Sequence, residues 1–407
     1  MIMADVSVLE VLLYGEPIGT LTLVPGDRSL FAFNEDYIAN DERSVLSLGF
    51  KDSLGQLMTE FRPYGPRVMP FFSNLLPEGR MRDYLAERAG VNPEREFFLL
   101  WALGSDLPGA ITIRSIDGDE LPPVARENVD HDDDRSENVL RFSLAGVQLK
   151  FSATSESPKG LTIPARGIGG SWIVKLPSRE YEGVPENEYS MMTLARLVGI
   201  DVPAIDLIDV ASIQNLPHEV QSLKGQAFAI ERFDRLDDGT PVHIEDFGQI
   251  FRVYPRDKYK KANYANIGAV IASESSDDDI AEFIRRLTFN TLIGNADMHV
   301  KNWSMRYLNR RDALLAPAYD FVATIAYMKD ETAALNFSRT KRFDEFSEDE
   351  LAHLANRAAI PEGLVLDTAR ETVELFHQHW NSEKASLPLR AEVIEAIEAH
   401  IAKIPLA

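Results

Sequence analysis

The apolar residues of this chain change period along its length, and that change limits the folds open to it. Residues 6–24 alternate apolar and polar. Val6, Val8, Val11 and Leu13 precede Tyr14-Gly15-Glu16-Pro17, and Ile18, Leu21 and Leu23 follow it, which predicts a β-hairpin. Further strands are expected over 30–33 and 109–113, with helical spacing between them through Met81 and Leu85 and from about Pro93 to Leu103. From Ser347 onward the spacing is helical, over 349–358, 361–380 and 389–404, with Pro361 at a first helical position. Strands early and helices late, in 407 residues, predict an α+β chain of more than one module, because single cores stop growing near about 250–300 residues.

The expected division is a β-rich module over 1–115, a linker over 116–138, a nucleotide-binding part over 139–235 and a helical lobe over 236–407. The first module carries no clustered acids, bases or metal ligands and reads as a packing or regulatory unit. The linker holds Pro122, Pro123 and the run Asp130-His131-Asp132-Asp133-Asp134-Arg135, whose like charges repel and stay solvated. With 42 Lys and Arg against 64 Asp and Glu, the net charge of −22 opposes direct contact with a nucleic-acid backbone. The chain has no cysteine, which excludes disulfides and thiolate metal sites. No apolar run reaches the roughly 18 residues of a membrane span. Asp5 and Glu10 interrupt what a signal peptide would need, so a cytoplasmic location is expected.

One stretch carries chemistry: Asn295-Ala296-Asp297-Met298-His299-Val300-Lys301-Asn302, with a second acid in Ala318-Tyr319-Asp320-Phe321. An Asp followed by four residues and an Asn, then an Asp-Phe pair downstream, is the spacing of a phosphotransfer site. Asp297 would accept the proton of an attacking hydroxyl, while Asn302 and Asp320 would hold magnesium between phosphates. Ser276 caps a helix opened by Asp277, Asp278 and Asp279 and ending near Gly294, so Asp297 falls in the loop after a buried helix. A strand over 303–308, a turn over 309–312 and a strand over 313–321 would bring Asp320 back beside Asn302.

A nucleotide side is sought upstream. Lys175 closes the strand Trp172-Ile173-Val174-Lys175-Leu176-Pro177, as a phosphate-gripping lysine does or as a snorkelling one does. Glu188 opens a helix over 186–198, where it pairs with Lys175 or simply favours the helix N-terminus. Two turns compete for the phosphates: Gly167-Ile168-Gly169-Gly170, and the turn from Gly146 to Ser152 with Lys150. The second is favoured because its amides and ammonium suit an anion. The strand Phe228-Ala229-Ile230-Glu231-Arg232-Phe233-Asp234-Arg235 would offer main-chain groups to adenine, with Phe233 against the base. His243-Ile244-Glu245-Asp246 is read as a loop or helix start, and His243 as a structural histidine.

Together these segments resemble the HipA family, the serine/threonine-kinase toxins of bacterial toxin-antitoxin pairs. The likeness spans nearly the whole chain and includes Pro70-Phe71-Phe72-Ser73-Asn74-Leu75-Leu76-Pro77-Glu78-Gly79, Ser143-Leu144-Ala145-Gly146-Val147-Gln148-Leu149-Lys150 and Ile173-Val174-Lys175-Leu176-Pro177. It continues through Asn187-Glu188-Tyr189, Glu231-Arg232-Phe233-Asp234-Arg235, Gly294 with the stretch after it, and Pro317-Ala318-Tyr319-Asp320. The resemblance implies a two-lobed protein-kinase-like fold, ATP and Mg2+, with Asp297 as catalytic base and Asn302 and Asp320 on the metal. It also implies nucleotide contacts from Val147, Gln148, Leu149, Lys150, Phe151, Ser152, Lys175, Glu231, Arg232, Phe233, His299 and Lys301.

The resemblance further implies a small HipB-like DNA-binding antitoxin, through which alone DNA would be met, and a protein target such as an aminoacyl-tRNA synthetase. In well-known members a serine three residues before the loop glycine is autophosphorylated. Ser143 holds that place, Ala145 stands where some members carry a second serine, and Leu149 replaces a frequent acid. Two alternatives stand beside the kinase: a catalytically weak ATP-binding scaffold that holds an antitoxin and co-represses its operon, and a metallohydrolase built on Asp297, His299, His243 and Asp320.

Overall fold

The computed structural model describes residues 6–117, 150–157, 160–162, 170–178, 180–216, 220, 222–328 and 332–407. Ser143, the Gly146 turn with Val147, Gln148 and Leu149, the acidic run from Asp130, and the 167–169 part of the glycine turn lie outside them.

The architecture is α+β, strand-rich towards the N-terminus and helical towards the C-terminus. The hairpin forms as the alternation predicts: β1 (Val8–Leu13) pairs with β2 (Glu16–Val24). Tyr14 and Gly15 both take positive φ, 55° and 81°, the two-residue turn whose twist matches its strands. With β3 (Arg28–Phe33) and β4 (Ile111–Ser115) they make an antiparallel sheet in the order β3-β2-β1-β4. Helices Gly79–Ala89 and Glu96–Leu103 lie between β3 and β4 in sequence, and every residue of the second is buried.

A five-stranded antiparallel sheet positions the site. Its strands are β5 (Lys150–Ser157), β6 (Gly160–Thr162), β7 (Trp172–Lys175), β8 (Ile205–Asp209) and β9 (Gln226–Glu231), in the order β6-β5-β7-β9-β8. Both faces are covered, and the period-two geometry of a strand sorts its side chains between them. Ala227 and Ala229 of β9 join the core of the first module, together with Val174 of β7, while Phe228 and Ile230 join the core of the helical part. Ile173 packs with that second core, so the alternation puts Lys175 on the same face.

Four sequence expectations change here. Lys150, Phe151 and Ser152 are strand residues of β5, paired with Lys175, Val174 and Ile173, and are not part of a turn. His243–Asp246 is a strand, β10, paired with β11 (Ser304–Tyr307). Its buried positions are the polar His243 and Glu245, while Ile244 is only half-buried, so hydrophobic alternation cannot reveal it. The strand expected over 313–321 shortens to β12 (Leu314–Leu315), because Ala318 N-H turns away to Asp201 O at 2.8 Å. Pro361 is the cap of Glu362–Glu383 and not its first residue.

Strands β10, β11 and β12 form a three-stranded sheet in that order, and the first module seats on it. Tyr14 Oη accepts from His243 N at 3.0 Å and donates to Tyr307 O at 3.2 Å. Glu245 accepts from Ser47 Oγ, from Leu48 N at 2.8 Å and from Tyr307 Oη, and burial pushes its pKa up to about 7. No helix of the described residues is long and apolar enough to cross a membrane.

Candidate active site

The helix Asp277–Leu292 delivers the central loop. Ser276 Oγ accepts from Asp279 N at 3.3 Å, three acids fill the first turn, and a buried face holds the helix in the core. Gly294 then reverses the chain at φ 67°, where a Cβ would lie 2.7 Å from Ile325 Cγ2. Neither the backbone nor the space admits another residue readily.

Beyond it the loop is wired at each step. Asn295 Nδ2 donates to Asn290 Oδ1 (2.8 Å) and to Asp320 O (3.2 Å), and its Oδ1 accepts from Asp297 N (3.0 Å). Asn302 Nδ2 donates to Asp297 O at 2.8 Å. Asp297 and Asn302 are thereby fixed relative to each other and to the Asp320 backbone. Asp320 itself has φ 59°, a left-handed conformation that Asp and Asn tolerate better than most residues.

A cavity of about 970 Å³ opens over this loop, within the usual range for small-molecule sites. Lys175, Glu188, Glu231, Arg232, Phe233, Asp297, His299, Lys301, Asn302 and Asp320 all line it. Lys175 Nζ donates to Glu188 at 2.5 Å and also to Asp320. Burial would lower the pKa of this lysine, but the charges of Asp320 and Glu188 reverse that and hold it well above its ordinary value. The Glu188 alternative is thus resolved as a pair. The next residue back serves the same loop: Asn187 Nδ2 donates to Ala323 O at 3.2 Å, and Asn187 Oδ1 accepts from Ala323 N at 2.9 Å.

A second charged cluster contains residues the sequence reading left without a role. Glu78, from the first module, accepts from Lys301 Nζ at 2.8 Å and Lys258 Nζ at 3.1 Å. Burial would raise its pKa, yet the two ammoniums bring it down to about 2. Lys301 also donates to Asn74 O at 3.3 Å. The first module is therefore more than packing, since it contributes to the cavity wall. Lys258 is followed by Tyr259, whose hydroxyl donates to Asp297 Oδ1. The run Lys258-Tyr259-Lys260-Lys261, in a chain of net charge −22, was the available signal.

Asp297 is about half-exposed at 49%. The protein crowding it raises its pKa, against the pull of the Tyr259 hydroxyl and the Lys258 ammonium. Burial, helped by Lys258, holds His299 neutral with a pKa lowered to about 3. Its Nδ1 has no hydrogen-bond partner among the described residues.

Other expected residues lie differently. Arg232 belongs to the cavity wall, but its guanidinium is buried on Asp234 at 2.8 Å and Ser152 Oγ at 3.0 Å, with Asp106 at 3.8 Å. Ser152 is thus committed to Arg232 and buried away from the cavity. The N-H groups of Glu231 and Arg232 are spent on Ala204 O (2.8 Å) and Ser171 O (2.7 Å). Phe233 packs against Tyr319 with centroids 5.6 Å apart. His243 is structural, as expected: it is fully buried, bonds Leu46 O through Nε2 at 2.8 Å, and burial lowers its pKa to about 4. Among the described residues no three His, Asp or Glu side chains converge on a metal position, and His243, bonded to Leu46 O, does not join Asp297, His299 and Asp320 in the cavity wall. A magnesium ion needs less from a protein, one or two oxygen ligands beside substrate phosphates, and Asp320 with Asn302 is such a set. The unpartnered His299 nitrogen fits a polar ligand in the same cavity.

The chain matches the model of the HipA N-terminal domain over residues 9–114 and that of the HipA-like C-terminal domain over residues 142–380. It is 57% identical over 407 residues to the Sinorhizobium fredii protein named "Putative kinase Y4dM", covering 99% of this chain and 98% of that one. It is 25% identical over 297 residues to the serine/threonine-protein kinase toxin HipA of Shewanella oneidensis, covering 64% of each. Among solved structures, a chain of the Shewanella oneidensis MR-1 complex of HipA, HipB and operator DNA superposes with a TM-score of 0.70. That match, at 22% identity over 97% of this chain and 95% of the other, shows a shared fold.

Proposed function

Since this chain belongs to the HipA family, we propose that it is an ATP-dependent serine/threonine protein kinase acting as the toxin of a toxin-antitoxin pair. One observation carries the reading: Lys175 with its partner Glu188, and Asp297, Asn302 and Asp320, line one cavity. Asp297 takes the proton of the protein hydroxyl and orients its oxygen. Lys175, aimed by Glu188, holds the phosphates, and Asn302 with Asp320 holds Mg2+. The metal, when bound, neutralises charge on the phosphate oxygens. His299 and Lys301 complete the polar wall around the phosphates.

At the adenine end Phe233 packs on the base. With the Glu231 and Arg232 amides engaged elsewhere, the Glu231 carbonyl and the Phe233 amide are the groups that face it. Lys150 and Phe151, at the start of β5, follow Val147, Gln148 and Leu149 in sequence and are assigned with them to the phosphates, and Ser143 is the candidate for self-modification. The division into 1–115, 116–138, 139–235 and 236–407 goes with this reading, as do a cytoplasmic location, a HipB-like antitoxin that meets DNA, and a target such as an aminoacyl-tRNA synthetase.

The test is Asp297→Asn, which keeps the shape and removes the base. Phosphate transfer from ATP in the presence of Mg2+, followed by mass spectrometry of the protein and of candidate synthetases, should fall by roughly 10² to 10⁴. Undiminished transfer would remove Asp297 from the mechanism.

A further inference from the structure

Asp297 already carries a hydroxyl. Tyr259 Oη donates to Asp297 Oδ1, one oxygen of the carboxylate that the kinase reading assigns to the acceptor hydroxyl. Tyr259 is 44% exposed, whereas Asp297, His299 and Lys258 beside it line the cavity. Its ring stands edge-on to the His299 ring, with centroids 5.1 Å apart, and Lys258 Nζ lies 5.6 Å from its centroid. Lys258 is itself held by Glu78 at 3.1 Å. The tyrosine is therefore seated at a defined place next to the carboxylate. Burial and the Asp297 charge both raise its pKa, so it stays a donor at neutral pH.

We propose that Tyr259, Lys258 and His299 form the acceptor subsite, which takes an aliphatic hydroxyl of a protein side chain, and that the Tyr259 hydroxyl holds its place until the acceptor arrives. This rests on the kinase reading of Asp297. In the transfer step the acceptor O-H gives its proton to Asp297, its oxygen forms a bond to the γ-phosphorus, and the bond from that phosphorus to the β,γ-bridging oxygen breaks. ADP leaves with the electron pair. A hydrogen bond donated to Oδ1 draws on the charge of the carboxylate and lowers its basicity towards an incoming proton, and the acceptor has to displace it to be oriented there, so the place-holding hydroxyl lowers the rate with every acceptor, water included. A hydrogen bond to a charged group is worth enough to make that suppression roughly tenfold or more.

The experiment uses water as the probe acceptor. Phosphate release from ATP with Mg2+ is measured for the full chain, for Tyr259→Phe and for Asp297→Asn. Phenylalanine keeps the ring against His299 and Lys258 and removes only the hydroxyl. Release about tenfold faster in Tyr259→Phe, with the KM for ATP unchanged, supports the subsite. Release that Asp297→Asn abolishes but Tyr259→Phe leaves unchanged or slows overturns it, slowing being the sign of a residue that merely orients Asp297. Release that Asp297→Asn does not affect, or that no variant shows, overturns the kinase reading and the subsite with it.

Discussion

Two charged clusters line the cavity, and they are built in opposite senses. In one, a single ammonium, Lys175, lies between two carboxylates, Glu188 and Asp320. In the other, a single carboxylate, Glu78, lies between two ammoniums, Lys258 and Lys301. The first stays within the HipA-like C-terminal domain and joins a strand end, a helix start and the loop after β12. The second crosses 180 residues from the first module to Lys258 and ties that module to the loop holding Asp297. On the proposed function the difference separates two jobs: the first cluster would aim a charge at a ligand, and the second joins two parts of the molecule while bordering the same space.

Exchanging the centre of the first cluster should have the largest effect. Lys175→Met is expected to lower phosphate transfer by roughly 10²–10³, the loss usual for one preorganised electrostatic group, with the fold retained by circular dichroism. Glu78→Gln should act first on stability. It leaves the buried Lys301 and the partly buried Lys258 without their carboxylate, at a cost of about 3 kcal/mol in urea unfolding, and transfer should fall less than in Lys175→Met. Equal losses of transfer in the two variants would erase the division between the clusters.

The pH dependence sharpens it. Glu78 has a folded pKa depressed to about 2, so its stabilisation is complete above its unfolded value of about 4.3 and is lost as pH falls through the folded value. The gap in unfolding free energy between the natural protein and Glu78→Gln should therefore be full at pH 7 and close towards pH 2. Glu188→Gln should give the smallest effect, about a tenfold loss of transfer, because Asp320 still holds Lys175. A loss as large as that of Lys175→Met would make Glu188 the dominant partner.

The same contrast marks what was legible in the sequence. That Asp297, Asn302 and Asp320 line one cavity was readable because Asp297 and Asn302 follow a capped, amphipathic helix at short spacing and the chain turns back to Asp320, and the face of Lys175 because strand alternation fixes it. Glu188 was readable as a candidate since a helix start places it. Glu78 gave no such signal, and Lys258 and Tyr259 gave only a basic run: each sits near the end or the outside of a local element, and it is the docking of the first module that brings Glu78 to Lys258 and Lys301. Strand β10 was hidden for a related reason, since its buried side chains, His243 and Glu245, are matched to partners in other elements and not to a hydrophobic period.

The left-handed backbone at Asp320 decides how that residue can be interrogated. At φ 59° an alanine would bring steric strain as well as the loss of a carboxylate, so an inactive Asp320→Ala protein would confound two causes. Asparagine accepts the same backbone and removes only the charge, and glycine accepts the backbone and removes the side chain. The pair Asp320→Asn and Asp320→Gly therefore forms the matched control set for this position, and alanine scanning, the default elsewhere, is the wrong instrument for it.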